Sequence, residues 1–187
     1  MTDSADAEPT VNELREQIEA LESKVDELEI EEEDGRTKMT IVAVSGTLDM
    51  AYPTLILSSI AGAFDWDVTV FASFWALDML HEDKYDDLKM SSVGNPSMPV
   101  PNLLAVMPGM DAVTTWMMRN RIDEVGTDTI PELIERAQAV GVEFQACQMT
   151  MDLMEYEDDD FIEGVTTGVG AAHALRNMAD SDVQLLV

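Results

Sequence analysis

The chain has 187 residues, 46% of them hydrophobic, and its 38 acidic against 10 basic side chains give a formal net charge of −28 at pH 7. That length and composition allow one ordinary domain with a proper core beside a separate N-terminal segment. Only four lysines occur (Lys24, Lys38, Lys84 and Lys89), which leaves no basic patch for nucleic acid, and the single cysteine, Cys147, excludes an intrachain disulfide and fits a reducing compartment.

Residues 1–8 are expected to form a disordered acidic tail, without the basic start and apolar core of a signal peptide. Thr10 and Glu13 make a capping-box pattern just after Pro9. Val11, Leu14, Ile18, Leu21, Val25 and Leu28 then recur at spacings of 3, 4, 3, 4 and 3, an a/d seam with β-branched residues at a and leucine at d. This combination favours a parallel two-stranded coiled coil, with Lys24 at g and Glu29 at e placed to pair across it. The alternative is an amphipathic helix folded back on its own domain, and the choice between dimer and trimer stays open. The acidic run Glu31-Glu32-Glu33-Asp34 with Gly35 closes the 9–35 segment as a linker, and a globular α/β domain is expected over 36–187.

In that domain, residues 39–45 read as a buried strand, β-branched at Ile41, Val42 and Val44, that enters the turn Ser45-Gly46-Thr47. A helix over about 49–64 follows, with Pro53 tolerated in its first turn. A second strand (68–72), a short apolar helix (74–80) and a polar connection (83–87) come next. The proline-rich stretch 94–108 is long for a structureless loop and reads as a lid or binding loop. Residues 112–120 are expected to be helical. Thr129-Ile130-Pro131-Glu132 is a second capping box, opening a helix whose Leu133, Ile134, Ala137 and Val140 share a face and which Gly141 stops. Residues 142–147 read as a strand that ends at Cys147, and Gln148 opens a helix. A final helix over about 168–178 and a strand over 183–187 complete the domain.

Alternating strands and helices give an α/β class, a three-layer α/β/α arrangement with a mostly parallel sheet. Ligands in such sheets bind beyond the carboxyl ends of the strands, where two candidates fall: the Ser45-Gly46-Thr47 turn and the Cys147 junction. The uncharged run 50–64 is only fifteen residues long, short of the roughly 18 a spanning helix needs, and the uncharged run 90–110 carries Pro96, Pro99, Pro101 and Pro108. A soluble, cytoplasmic protein is expected, with peripheral membrane contact left open. An acidic, lysine-poor surface around a normal core suits a salt-loving, haloarchaeon-like cytoplasm, because molar salt shrinks the Debye length to about 3 Å and screens self-repulsion.

A thiol at a strand-to-helix junction meets unpaired backbone N–H groups and the helix dipole, both of which favour a thiolate. Thr150, three residues on, is placed to hydrogen-bond there. Asp152 either caps local N–H groups or opposes the thiolate with its charge. The competing reading of Cys147 is a buried, inert thiol, since free cysteine is among the most buried residue types.

The run Cys147-Gln148-Met149-Thr150-Met151-Asp152-Leu153-Met154 resembles the cysteine motif of the DsrE/DsrF-like family, in its longer "peroxiredoxin-like" branch, where a Cys-x-Met-Ser/Thr-Met-Asp pattern recurs. Ser45-Gly46-Thr47-Leu48-Asp49 resembles that family's first turn, and residues 69–77 resemble its Phe-Trp-Gly-Leu segment. Met107-Pro108-Gly109 and Pro131-Glu132-Leu133-Ile134-Glu135 match as well, so the likeness spans nearly all of 38–187. It implies an α/β/α fold, homo-oligomers, and a cysteine that carries sulfur as a persulfide. Two departures stand out: Glu155 where a glycine commonly follows the motif, and the added N-terminal segment.

Other residues point less sharply. Met149, Met151 and Met154 beside the cysteine, and Met90, Met98, Met107, Met110, Met117 and Met118 around the long loop, read as plastic packing rather than a soft-metal site, because Met149 and Met151 do not share a helix face. His81 and His173 form no ligand motif, His81 reading as a helix-end residue and His173 as part of a packed helix. Phe74, Trp75 and Trp116 read as core, with a pocket lining, Trp75 above all, as the sharper alternative. Gly164, Gly168 and Gly170 lack dinucleotide-binding spacing, so no cofactor is expected, and no metal. The leading functional expectation is a sulfur carrier or sulfurtransferase-like protein holding a persulfide on Cys147, served by sulfur donor and acceptor proteins. A non-enzymatic oligomeric scaffold is the second. A thiol peroxidase, which commonly needs a resolving thiol absent here, is the third.

Overall fold

A computed structural model describes residues 17–18, 35–91 and 110–187. The chain divides into two compact units, Met1–Arg36 and Thr37–Val187. In the first, Gln17 and Ile18 are helical and exposed; the remainder of the expected 9–35 helix and linker, apart from 35, lies outside the described residues, as does the proline-rich 94–108 loop.

The second unit is built on five strands, β1 (Lys38–Ala43), β2 (Asp67–Ala72), β3 (Glu143–Cys147), β4 (Val165–Val169) and β5 (Val183–Leu186). They pair in the order β4-β3-β2-β1-β5, and every pairing is parallel. Parallel neighbours require crossovers, supplied here by α1 (Leu48–Ala63), α2 (Met110–Val125), α3 (Ile130–Ala139), the short α4 (Gln148–Met154) and α5 (Ala171–Ala179). The α/β expectation holds.

Alternation along the strands sorts side chains onto two faces. Met39, Ile41, Ala43, Val68, Val70, Ala72, Phe144 and Ala146 join Leu48, Ala51 and Leu55 of α1 and Ile130, Leu133, Ile134 and Ala137 of α3 in one buried core. The opposite face carries a smaller cluster of Phe71, Cys147, Val169 and Ala174, packed by α5 and Val42. Cys147 therefore lies on the thinner side of the sheet.

Several elements differ from expectation for local reasons. The predicted 168–178 helix begins only at Ala171, because 165–169 form β4, an edge strand whose exposed Thr166 and Gly168 hide its strand character. The 74–80 segment is a 3-10 helix over Phe74–Met79. Pro53 sits inside α1 beyond its first turn. The capping box of α3 forms as drawn: Glu132 Oε2 accepts from the Thr129 N–H at 2.7 Å and from its hydroxyl at 2.8 Å. His173 is exposed on α5 rather than packed.

Candidate functional site

Strand β3 delivers Cys147 to the carboxyl rim, where it occupies the N-cap position of α4 with extended backbone (φ −68°, ψ 112°). The β3–β4 register shifts between Gln145 and Cys147, and Gly168 on β4 takes φ +74° within the shift, so an irregularity in the ladder lies beside the thiol. Such irregularities re-aim side chains at functional rims.

On its other side Cys147 meets the end of β2. The β2–β3 register pairs Ala72 with Ala146, so the next residue, Ser73, lies alongside Cys147. Ser73 Oγ lies 3.2 Å from Thr150 Oγ1, and the Phe74 N–H donates to the same Thr150 oxygen at 3.2 Å. Phe74 adopts left-handed backbone (φ +49°), an uncommon state for a bulky residue, and that turn starts the 3-10 helix.

Cys147 is 2% exposed and Thr150 is fully buried. Burial pushes the Cys147 thiol up, but hydrogen bonds from the Thr150 hydroxyl and N–H, the Ser73 hydroxyl and the Met149 N–H outweigh it and hold the thiol below its ordinary value. The donors are all uncharged. Each of these donors favours the anionic form of the sulfur over the neutral thiol.

On α4 itself Met149 and Leu153 are each more than 60% exposed, and Phe74 and Trp75, which open the 3-10 helix after Ser73, are exposed as well. Phe74, Trp75 and Trp116 thus lie at the surface, which corrects their reading as core. Met151 is buried in the main core while Met149 faces solvent, so the two diverge as their spacing implies. Asp152 lies one turn along α4, exposed, where its Oδ1 accepts from Gln148 Nε2 at 2.8 Å.

The second candidate on the rim forms a separate environment. Ser45 Oγ and Thr47 Oγ1 lie 3.1 Å apart. Gly46 and Thr47 line an open cleft of about 440 Å³ with Trp75, Asp78, Asp83, Lys84, Asp87, Lys89 and their neighbours. A Cβ on Gly46 would stand 1.9 Å from the Trp75 carbonyl oxygen, so only glycine lets the two rim loops approach this closely.

Lys84 Nζ donates to Asp78 Oδ1 at 3.0 Å and bonds the Tyr156 hydroxyl, and Tyr156 donates to Asp78 Oδ1 at 2.8 Å. His81 is buried beside them. Its ring packs edge-on against Tyr156, and its Nδ1 accepts from the Asp83 N–H at 3.2 Å, a packing role just past the end of the 3-10 helix. Among the described residues no group of three or more histidine, cysteine, aspartate or glutamate side chains could hold a metal ion, and no helix is long and apolar enough to cross a membrane.

Of the residues expected at the site, the structure joins Thr150 to Cys147. Ser45, Gly46, Thr47 and Trp75 gather at the other end of the rim. Ser73 went unforeseen. Its signal lay in the strand ends: two adjacent parallel strands that finish at the same rim bring their next residues together, but sequence alone does not show that β2 neighbours β3.

The model of the DsrE/DsrF/DrsH-like family matches residues 35–186. The chain is 37% identical over 158 residues to the "Sulfur carrier protein DsrE2" of Allochromatium vinosum, covering 80% of this chain and 98% of that one. It is 29% identical over 155 residues to the uncharacterized protein YrkE of Bacillus subtilis, covering 80% and 96%. Among solved structures, the ychN protein from E. coli aligns with a TM-score of 0.49 at 14% identity, over 81% of this chain and 99% of that one. The extent of the family match and the 37% identity make the conclusion plain: the chain belongs to the DsrE/DsrF/DrsH-like family.

Proposed function

We propose that the protein takes part in sulfur transfer and that it does so by holding a persulfide on Cys147. The observation that carries this reading is a nearly buried thiol at the end of β3, held below its ordinary pKa by hydroxyl and amide donors, in a chain similar over most of its length to a protein named as a sulfur carrier. The Cys147 thiolate attacks the sulfane sulfur of a persulfidic donor, R–S–SH. A new S–S bond forms to Cys147 while the donor's S–S bond breaks, and the donor leaves as R–S⁻, which takes up a proton. Attack by an acceptor thiolate on the outer sulfur reverses the sequence and regenerates the Cys147 thiolate. No net oxidation occurs, so no redox cofactor is needed. Exposed Met149 and Leu153 on α4 give donor and acceptor proteins an apolar surface on which to exclude water during the exchange.

The test is mass spectrometry of the intact protein after incubation with a persulfide donor. Wild type is expected to gain one sulfur atom and Cys147→Ser none. A wild type that takes sulfur from no persulfide or polysulfide donor would sink the carrier reading.

The same proposal extends to assembly and setting. Exposed Leu57, Ile60 and Phe64 run along one side of α1, and exposed Val113, Trp116 and Met117 along one side of α2, faces suited to burial in a homo-oligomer. The 11–28 heptad seam is a second self-association element. The acidic surface fits a cytoplasm of high salt.

A further inference from the structure

We propose that Ser73 is a positioning residue for the Cys147 sulfur, sharing it with Thr150, so that two hydroxyls from two different elements hold the sulfur anion. The inference rests on the reading of Cys147 as the sulfur-bearing residue and assigns how that atom is kept anionic while buried.

The register of the sheet and the hydrogen-bond directions support it. Thr150 Oγ1 already accepts the Phe74 N–H at 3.2 Å, so its own proton has two destinations, Ser73 Oγ at 3.2 Å or the sulfur. If Thr150 donates to Ser73, the Ser73 proton is free for the sulfur. If Thr150 donates to the sulfur, Ser73 donates either to Thr150 or to the sulfur as well. In the first arrangement Ser73 can donate to Sγ and in the second Thr150 does, and a thiolate, which only accepts, draws both. A neutral thiol needs one oxygen to turn its lone pair inward instead.

The pair thus adapts to protonation of the sulfur without moving heavy atoms. It also explains how the anion tolerates a site with no cationic partner: among the described groups that act on Cys147, the donors are neutral, and the lowered thiol is consistent with the geometry. Helix α4 spans seven residues, so its N-terminus supplies little on its own, and the donor from β2 completes the set. Ser73 is itself anchored, its N–H donating to the Ala43 carbonyl at 2.9 Å, and it is buried. Its hydroxyl is therefore held beside the sulfur by the register of the sheet.

The experiment is the rate of alkylation of Cys147 by iodoacetamide as a function of pH, in the full chain. The midpoint of the profile reports donor strength, and the high-pH plateau reports access to the buried sulfur. Ser73→Ala is expected to move the midpoint upward and to slow alkylation roughly tenfold below it, leaving the plateau in place. Ser73→Thr, which keeps the hydroxyl, is expected to restore the midpoint. If Ser73→Ala does not fold, Ser73→Gly removes the same hydroxyl.

A folded Ser73→Ala or Ser73→Gly protein with the wild-type midpoint overturns the proposal, as does a changed plateau with an unchanged midpoint, the mark of packing alone. The outcome is separable from the carrier reading. A wild type that accepts no sulfur while Ser73→Ala shifts the midpoint removes the carrier function and keeps this role. A wild type that accepts sulfur with an unmoved Ser73→Ala midpoint does the reverse.

Discussion

Around Cys147, a residue 2% exposed, the rim of the sheet is closed and its thiol is met by uncharged hydroxyls and amides, whereas around Gly46 and Trp75 it opens into a cleft of about 440 Å³ lined by three aspartates and two lysines. Strand ends of one parallel sheet build both. The contrast teaches that open volume and anion stabilisation are separate properties of one rim: a small, dry, donor-lined seat suits a sulfur anion. A large cleft with charges of both signs suits solvent or a polar ligand. The segment from Ser73 to Asp78 joins the two ends: it bonds Thr150 at its start, abuts Gly46 at Trp75 and holds Lys84 at its end.

The largest expected effect breaks that connecting segment. Gly46→Ala places a methyl group 1.9 Å from the Trp75 carbonyl oxygen, which forces backbone apart. We expect a loss of roughly 3 kcal/mol, or about 10 °C in melting temperature, read by thermal denaturation. A melt indistinguishable from wild type would show that the two rim loops are not tightly joined.

Next, Thr150→Val removes from the closed end the hydroxyl that serves both sulfur and Phe74. A hydrogen bond to a charged group contributes about 1.5–3 kcal/mol, so alkylation of Cys147 near neutral pH should slow by roughly 10- to 100-fold. The sign for stability follows from the lowered thiol. Its contribution is complete above the unfolded value of ~8.5 and is lost as pH falls through the folded value. The rise in stability with pH across that window should therefore shrink in Thr150→Val, as chemical denaturation at several pH values would show. An unchanged rise would mean that Thr150 does not act on the sulfur.

Lys84→Met tests the independence of the two ends. It dissolves the Asp78–Lys84–Tyr156 cluster, whose ion pair is partly exposed on both sides, so about 1 kcal/mol is at stake. The alkylation profile of Cys147 should stay where it is, because burial and uncharged donors set it. A shifted midpoint would join the two environments electrostatically and undo the comparison.

Much of this was legible in the sequence, and what was not has a physical reason. β1, β2 and β3 announce themselves because buried parallel strands are nearly continuous apolar runs, and α3 because its Thr129–Glu132 cap is local. β4 escaped because an edge strand exposes Thr166 and Gly168, and its polar residues read as loop or helix approach. Thr150 could be nominated because it follows Cys147 by three residues. Ser73, 77 residues from Thr150, could not, since only the pairing of β2 with β3 brings it there. The tryptophans misled for a related reason. Hydrophobic composition predicts burial on average, but Trp75 and Trp116 are surface residues of a domain with apolar faces to cover.

The smallest effect concerns the end of α4 and improves the fold instead of damaging it. Glu155 closes the helix in left-handed conformation, φ 58° and ψ 38°, with its N–H donating to the Met151 carbonyl. A left-handed residue at this position is a common way to stop a helix, and glycine takes it without the clash between Cβ and carbonyl that glutamate accepts. The resemblance noted in the sequence placed a glycine there, and the backbone shows why. Glu155→Gly should stabilise the protein by about 0.5 kcal/mol net, the relief of strain being partly offset by the greater freedom of glycine in the unfolded chain. The following Tyr156 carries the Lys84 cluster, and the preceding turns carry Thr150, so the substitution also asks whether the strained cap matters to either end of the rim. A higher melting temperature with an unmoved Cys147 alkylation profile would make Glu155 a local concession. A lower one would show that its carboxylate has partners worth more than the strain it carries.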